Sequence, residues 1–177
     1  IVNTVRPQEN IKETALALAD AALMGARGNS GIIFAQFLYG FSKDIKDKPT
    51  MTIKEFAENM LIASECAYYA LAKPKEGTII SVIKDWANSI NEDSNSTDDF
   101  TTLLLNGLNV AMESLKETGK FIAAKAKTFV DAGAKGFVVF LEGMCEYFHN
   151  GGQTVQVANA EIIALAFYRA LIYIISV

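Results

Sequence analysis

Runs of apolar residues at helical spacing, separated by short breaks, fill this chain almost from end to end. Glycine marks only every second break. Helices joined by short connections must lie antiparallel to their neighbours, so this punctuation alone predicts an all-α, up-and-down bundle. The predicted helices cover residues 10–24, 31–42, 52–72, 78–91, 98–115 and 136–148. The second carries Ile32, Ile33, Phe34, Phe37, Leu38 and Phe41, apolar nearly all round, as befits a helix inside a bundle. The third opens with Thr52 and Glu55 at capping-box spacing. Pro74 and Gly77 break the pattern before the fourth. Residues 118–135 are expected to be a long junction holding a helical turn or two.

Parity then sorts the breaks. If the first helix runs up, the junctions at Gly25–Gly31, residues 73–78 and residues 130–136 all fall at the top. The polar loops 43–51 and 91–97 fall at the bottom, and neither contains a glycine. Glycines that merely marked turns would appear at both ends. Their segregation points to a place where backbone must closely approach a ligand. Each top junction also starts a descending helix, so three helix N-termini face one end, where unpaired N–H groups and dipoles favour an anion. Ser30 and Thr78 add hydroxyls, and Arg27, Lys73, Lys75 and Lys135 add positive charge. Each residue alone has a plainer role. Asn29, Ser30 and Thr78 suit N-caps, Gly25 suits a C′ glycine, Arg27 a surface cation and Asp131 a turn. The argument for a site rests on the set.

Composition removes several function classes. The 177 residues are 51% hydrophobic and 20% charged, which suits one domain with a full core. The net charge of −4, with no basic run, argues against nucleic-acid binding. Cys66 and Cys145 lack CxxC spacing and are expected to be buried, reduced thiols of a cytoplasmic protein. His149 is the single histidine and no partner motif accompanies it, which argues against a Ser-His-Asp triad and a His-rich metal site. No secretory signal is visible at the start. Ile1-Val2-Asn3-Thr4-Val5 reads like the interior of a helix, so the chain is expected to be a fragment. Residues 162–177 are very apolar, but at 16 residues with Arg169 among them they fall short of a membrane span. Residues 153–157 alternate like a strand, and a last helix is expected over 160–177. The apolar content and this tail suggest an interface, with a second copy of the chain among its candidate occupants. Residues 1–150 are assigned to the helical domain, and 151–177 to a separate apolar segment.

The motifs resemble a known family. Ala22-Leu23-Met24-Gly25-Ala26-Arg27-Gly28-Asn29-Ser30-Gly31 is similar to the signature of the nucleotide-binding domain of bacterial fatty-acid kinases, itself related to the L subunit of dihydroxyacetone kinase. Lys73-Pro74-Lys75-Glu76-Gly77-Thr78-Ile79 resembles that family's Pro-x-Glu-Gly-Thr segment, and Val130-Asp131-Ala132-Gly133-Ala134-Lys135-Gly136 its Val-Asp-x-Gly-x-x-Gly loop. The motifs occur in family order and cover about residues 6–148. The resemblance implies a barrel of antiparallel helices that binds ATP or ADP at one end. Gly28, Asn29, Ser30 and Gly31 would meet phosphate, Thr78 would line the site, and Asp131, Gly133 and Gly136 would form the nucleotide lid. It further implies a DegV-type partner that presents a fatty acid for phosphorylation of its carboxylate. A dihydroxyacetone kinase L-type subunit and a non-catalytic nucleotide-binding module are the alternatives. The family also uses Mg²⁺ held by an upstream Asp-Gly-Asp-Thr-Gly segment, which this sequence does not contain, and Glu76 and Asp131 are a poor substitute.

Overall fold

A computed structural model describes residues 11–46, 51–122 and 130–149. These form six α-helices: α1 Ile11–Gly25, α2 Gly28–Lys43, α3 Ile53–Tyr68, α4 Ile79–Asp93, α5 Phe100–Ile122 and α6 Ala132–His149. The described residues contain no strand, so the all-α expectation holds. The tail expected over 151–177, with its strand and helix, lies outside the described residues.

Several boundaries moved for local reasons. The predicted second helix starts three residues late, because Gly28, Asn29 and Ser30 already belong to the first turn of α2. The third ends at Tyr68 rather than at residue 72, where Tyr69 N–H donates to Glu65 O and Ala70 N–H to Ala67 O, a tightened closing turn. The predicted junction at 118–135 is largely helix. The i,i+3 pairs Glu113–Lys116 and Glu117–Lys120 support α5 as far as Ile122. The sixth helix starts at Ala132 instead of Gly136, with Asp131 as the acceptor for its first turn. The capping box is present as expected. Thr52 Oγ1 accepts from Glu55 N–H at 3.2 Å, and Glu55 Oε2 accepts from Thr52 N–H at 3.0 Å. Thr52→Ala should therefore lower stability by about 1 kcal/mol in a urea melt, with an unchanged helical spectrum.

Consecutive helices pack against each other in chain order. The alternate helices α2, α4 and α6 also touch one another. An aromatic cluster fills the point where they converge. Phe37 of α2 lies edge-on to Phe137 of α6 at 5.4 Å, and Trp86 of α4 lies edge-on to Phe137 at 5.7 Å. Phe34 meets Phe140 at 5.4 Å. From α3, Phe56 closes one side against Trp86 and Phe100. All of these except Phe100 are almost fully buried, and each such ring contributes on the order of 1.5–3 kcal/mol of transfer free energy. Two glycines let helices approach closely: a methyl at Gly40 would sit 2.7 Å from Ala63 Cα, and one at Gly107 would sit 2.8 Å from Trp86 Nε1. Because α2, α4 and α6 run the same way, the core that joins them also gathers their N-termini. No described helix is long and apolar enough to cross a membrane.

Candidate functional site

The three glycine-bearing junctions meet at one end of the bundle. Between α1 and α2 only Ala26 and Arg27 intervene. Arg27 is the N-cap of α2 in an extended conformation (φ −133°, ψ 138°), and no side chain caps the helix. Gly28 follows with φ +60°, a conformation in which a side chain is strained. This corrects the expectation for Gly25. The left-handed residue of this turn is Gly28, while Gly25 is the last residue of α1. Likewise, neither Asn29 nor Ser30 caps the helix. Both sit in its first turn, where backbone N–H groups have no helical acceptor. Among the described residues, the N–H groups of Gly28, Asn29 and Ser30 find none elsewhere. Nothing lies within 4 Å of the position a Cβ on Gly28 would take. Gly28 and Asn29 are exposed, and Ser30 and Gly31 are half-buried.

The second junction is built differently. Gly77 has φ +74° and donates its N–H to Ser81 Oγ at 2.9 Å, while Ser81 Oγ donates to Glu76 Oε2 at 2.6 Å. Thr78 is the N-cap of α4, as expected. Its Oγ1 accepts from Ile80 N–H at 3.4 Å and donates to Lys75 O at 2.7 Å, so its hydroxyl proton is committed within the loop.

The third junction touches the other two. A methyl on Gly133 would lie 2.4 Å from Ser30 Oγ and 2.9 Å from Ser30 Cβ, so α6 abuts the first turn of α2 there. Asp131 Oδ1 accepts from Ile79 N–H of α4 at 3.1 Å and from Ala134 N–H of α6 at 2.8 Å. Asp131 N–H in turn donates at 3.0 Å to Thr118 Oγ1, whose side chain is buried in α5. Gly136 is buried in the second turn of α6.

The structure therefore brings Ser30, Thr78, Asp131 and Gly133 together, with Gly28, Asn29 and Gly31 on the adjoining turn. It also separates three helix N-termini that look alike in sequence. Those of α4 and α6 already hold a carboxylate, whereas that of α2 holds none from the described residues. Thr118 and Ser81 support the site through pairings that sequence spacing does not reveal: Thr118 lies 13 residues from Asp131. Arg27 Nη1 donates to Ala26 O at 2.9 Å, which turns the guanidinium back onto its own turn.

Other chemistries find little support among the described residues. Burial pushes the Cys145 thiol up to about 11 and raises Cys66 as well, which disfavours the nucleophilic thiolate at neutral pH. No three His, Cys, Asp or Glu side chains gather as they would around a metal ion. The described residues thus offer no acidic cluster like the one the resemblance assigns to Mg²⁺. A cavity of about 210 Å³ lies by the loop at the opposite end, lined among others by Asp44, Lys46, Met51, Glu55 and Asn59. The N-terminus beside it, that of α3, is already closed by its capping box.

Comparison with known proteins places the sequence among relatives. The family model described as the DAK2 domain matches residues 2–146. An uncharacterized protein of Staphylococcus epidermidis is 38% identical over 136 residues, which are 76% of this chain and 25% of that protein. An uncharacterized protein of Staphylococcus aureus is 37% identical over 155 residues, 87% of this chain and 28% of that protein. The chain thus spans about a quarter of the length of these curated relatives.

Proposed function

The chain belongs to the DAK2-domain family, and from that premise we propose that it binds ATP, with the phosphates seated on the first turn of α2. We further propose that it serves a kinase whose acceptor is a fatty-acid carboxylate presented by a DegV-type protein or domain. The observation that carries the nucleotide assignment is the uncapped, open N-terminus of α2 where three glycine junctions meet. Unpaired N–H groups of Gly28, Asn29 and Ser30 suit phosphate oxygens, and the left-handed Gly28 lets the ligand approach without a side chain in the way. Ser30 Oγ and the exposed side-chain amide of Asn29 add donors beside the backbone ones, and Gly31 completes the same turn in ordinary contact with Ala26. Thr78 and Gly133 then shape the rim rather than donate to the phosphate. Phosphoryl transfer is chiefly positioning and charge stabilisation, and this end supplies the positioning. No step is assigned through Mg²⁺, since the described residues do not form its site.

The fatty-acid assignment rests on the Gly25-Ala26-Arg27-Gly28-Asn29-Ser30-Gly31 segment, whose wording favours that branch over the dihydroxyacetone kinase L subunit. Titration calorimetry with ATP tests the nucleotide site. Asn29→Ala and Ser30→Ala should each weaken binding by roughly 10- to 150-fold, with unchanged helicity, since a hydrogen bond to a charged group contributes about 1.5–3 kcal/mol. Asn29→Pro, which removes a backbone N–H within the first turn of α2, where a helix tolerates proline, should weaken binding as well, and equal affinity in all three variants and the parent would remove the phosphate from this turn. Phosphate transfer from ATP by the full-length gene product, offered a DegV-bound fatty acid or a partner-bound triose, separates the two kinase branches.

A further inference from the structure

We propose that Asp131 is a positioning residue that decides where an anionic ligand sits, by acting as a built-in anion for two of the three converging helices. This rests on the nucleotide assignment above. One carboxylate oxygen, Oδ1, accepts from the first residue of α4, Ile79, and from the first turn of α6, at Ala134. Both donors belong to buried residues, Ile79 at 2% and Ala134 at 0% exposure. The backbone that carries the carboxylate is itself held, because Asp131 N–H donates to Thr118 Oγ1, and Thr118 Oγ1 donates to Leu115 O at 2.7 Å. Lys135 N–H closes the turn onto Asp131 O at 2.9 Å.

The consequence is electrostatic. Helix N-termini attract an anion through unpaired N–H groups and their dipoles, and at α4 and α6 Asp131 already answers both. A phosphate arriving there meets a like charge. At α2 it meets free donors. Gly133 lies between the two regions, its Cβ position 2.4 Å from Ser30 Oγ and 3.3 Å from Asp131 Oδ1, so the repelling carboxylate and the attracting turn flank one glycine. Asp131 thus directs the phosphate chain to α2 while holding α4 and α6 in register. It acts through the helices and through its field, not as a ligand contact.

Neutral substitutions that keep an acceptor test this. Asp131→Asn retains a carbonyl oxygen at the Oδ1 position, and Asp131→Ser supplies a shorter N-cap acceptor should the asparagine variant fold poorly. Calorimetric titration of the whole chain with ATP, ADP and AMP, at low and high salt, reads the effect. At low salt the neutral variants should bind ATP roughly three- to tenfold more tightly than the parent. The gain should shrink from ATP to AMP and fade at high salt. Asp131→Ala, which strands two buried N–H groups, should instead lose affinity for all three. A neutral variant that binds ATP as weakly as Asp131→Ala would show that the carboxylate itself touches the ligand, and would overturn the proposal. A gain independent of phosphate number would overturn it too. If the parent binds no nucleotide, the assignment of the site fails and this proposal with it. If the parent binds and the variants show no graded gain, only the proposal fails.

Discussion

Trp86→Ala should lower the stability of the folded chain by about 3–5 kcal/mol, the usual cost of removing a buried tryptophan, with a fall in melting temperature of roughly 6–20 °C. The reason is its place in the bundle. Trp86 is 1% exposed and packs against Phe37 of α2, Phe56 of α3 and Phe137 of α6. Gly107 of α5 presses against its indole nitrogen. A truncation here opens a void shared by five helices, which cannot all collapse into it. Trp86→Phe should cost much less. Its Nε1 has no hydrogen-bond partner among the described residues, so the phenylalanine removes a buried donor that none of them satisfies. A melt in which the two variants lose equal stability would contradict this account. Because the same cluster joins α2, α4 and α6, Trp86→Ala should also weaken nucleotide binding below its melting transition, whereas Trp86→Phe should not.

What could be read in the sequence followed the range of the interaction. Helix periodicity and alternate glycine breaks are local signals, and parity turns them into a global statement without knowledge of any contact. The Ser30–Gly133 and Asp131–Ile79 contacts agree with that placement. The capping box at Thr52 spans three residues and was equally legible. The role of Asp131 was not, because its partner at Ile79 is 52 residues away and nothing local distinguishes a turn aspartate from one that spans two helices. The start of α2 escapes local reading for a different reason. Asn and Ser favour N-caps in general, but here Gly28 takes the left-handed conformation and Arg27 becomes the cap, which moves both residues into the helix. That shift matters chemically, since it leaves the donors of the turn unpaired.

Gly133→Ala should abolish most nucleotide affinity, more than tenfold, while leaving the helical core largely intact. The added methyl would sit 2.4 Å from Ser30 Oγ and 2.9 Å from Ser30 Cβ. The hydroxyl can rotate away, but the Cβ cannot, so α6 must move relative to the first turn of α2. Overpacking of this kind costs about 1–3 kcal/mol, and here the displacement falls on the turn assigned to phosphate. Two second-site variants separate packing from chemistry. Ser30→Gly removes the clashing Cβ, so the double variant Ser30→Gly, Gly133→Ala should recover the thermal stability lost by Gly133→Ala. Ser30→Ala keeps that Cβ and should recover none of it. Affinity should return only partly in the glycine double variant, because the Ser30 hydroxyl is lost as a phosphate donor. A double-mutant cycle over stability and ATP affinity measures both couplings. Strict additivity in both would mean that α6 and the α2 turn do not share the site. Coupling in stability alone would reduce the Ser30–Gly133 contact to packing and return the phosphate assignment to Gly28 and Asn29.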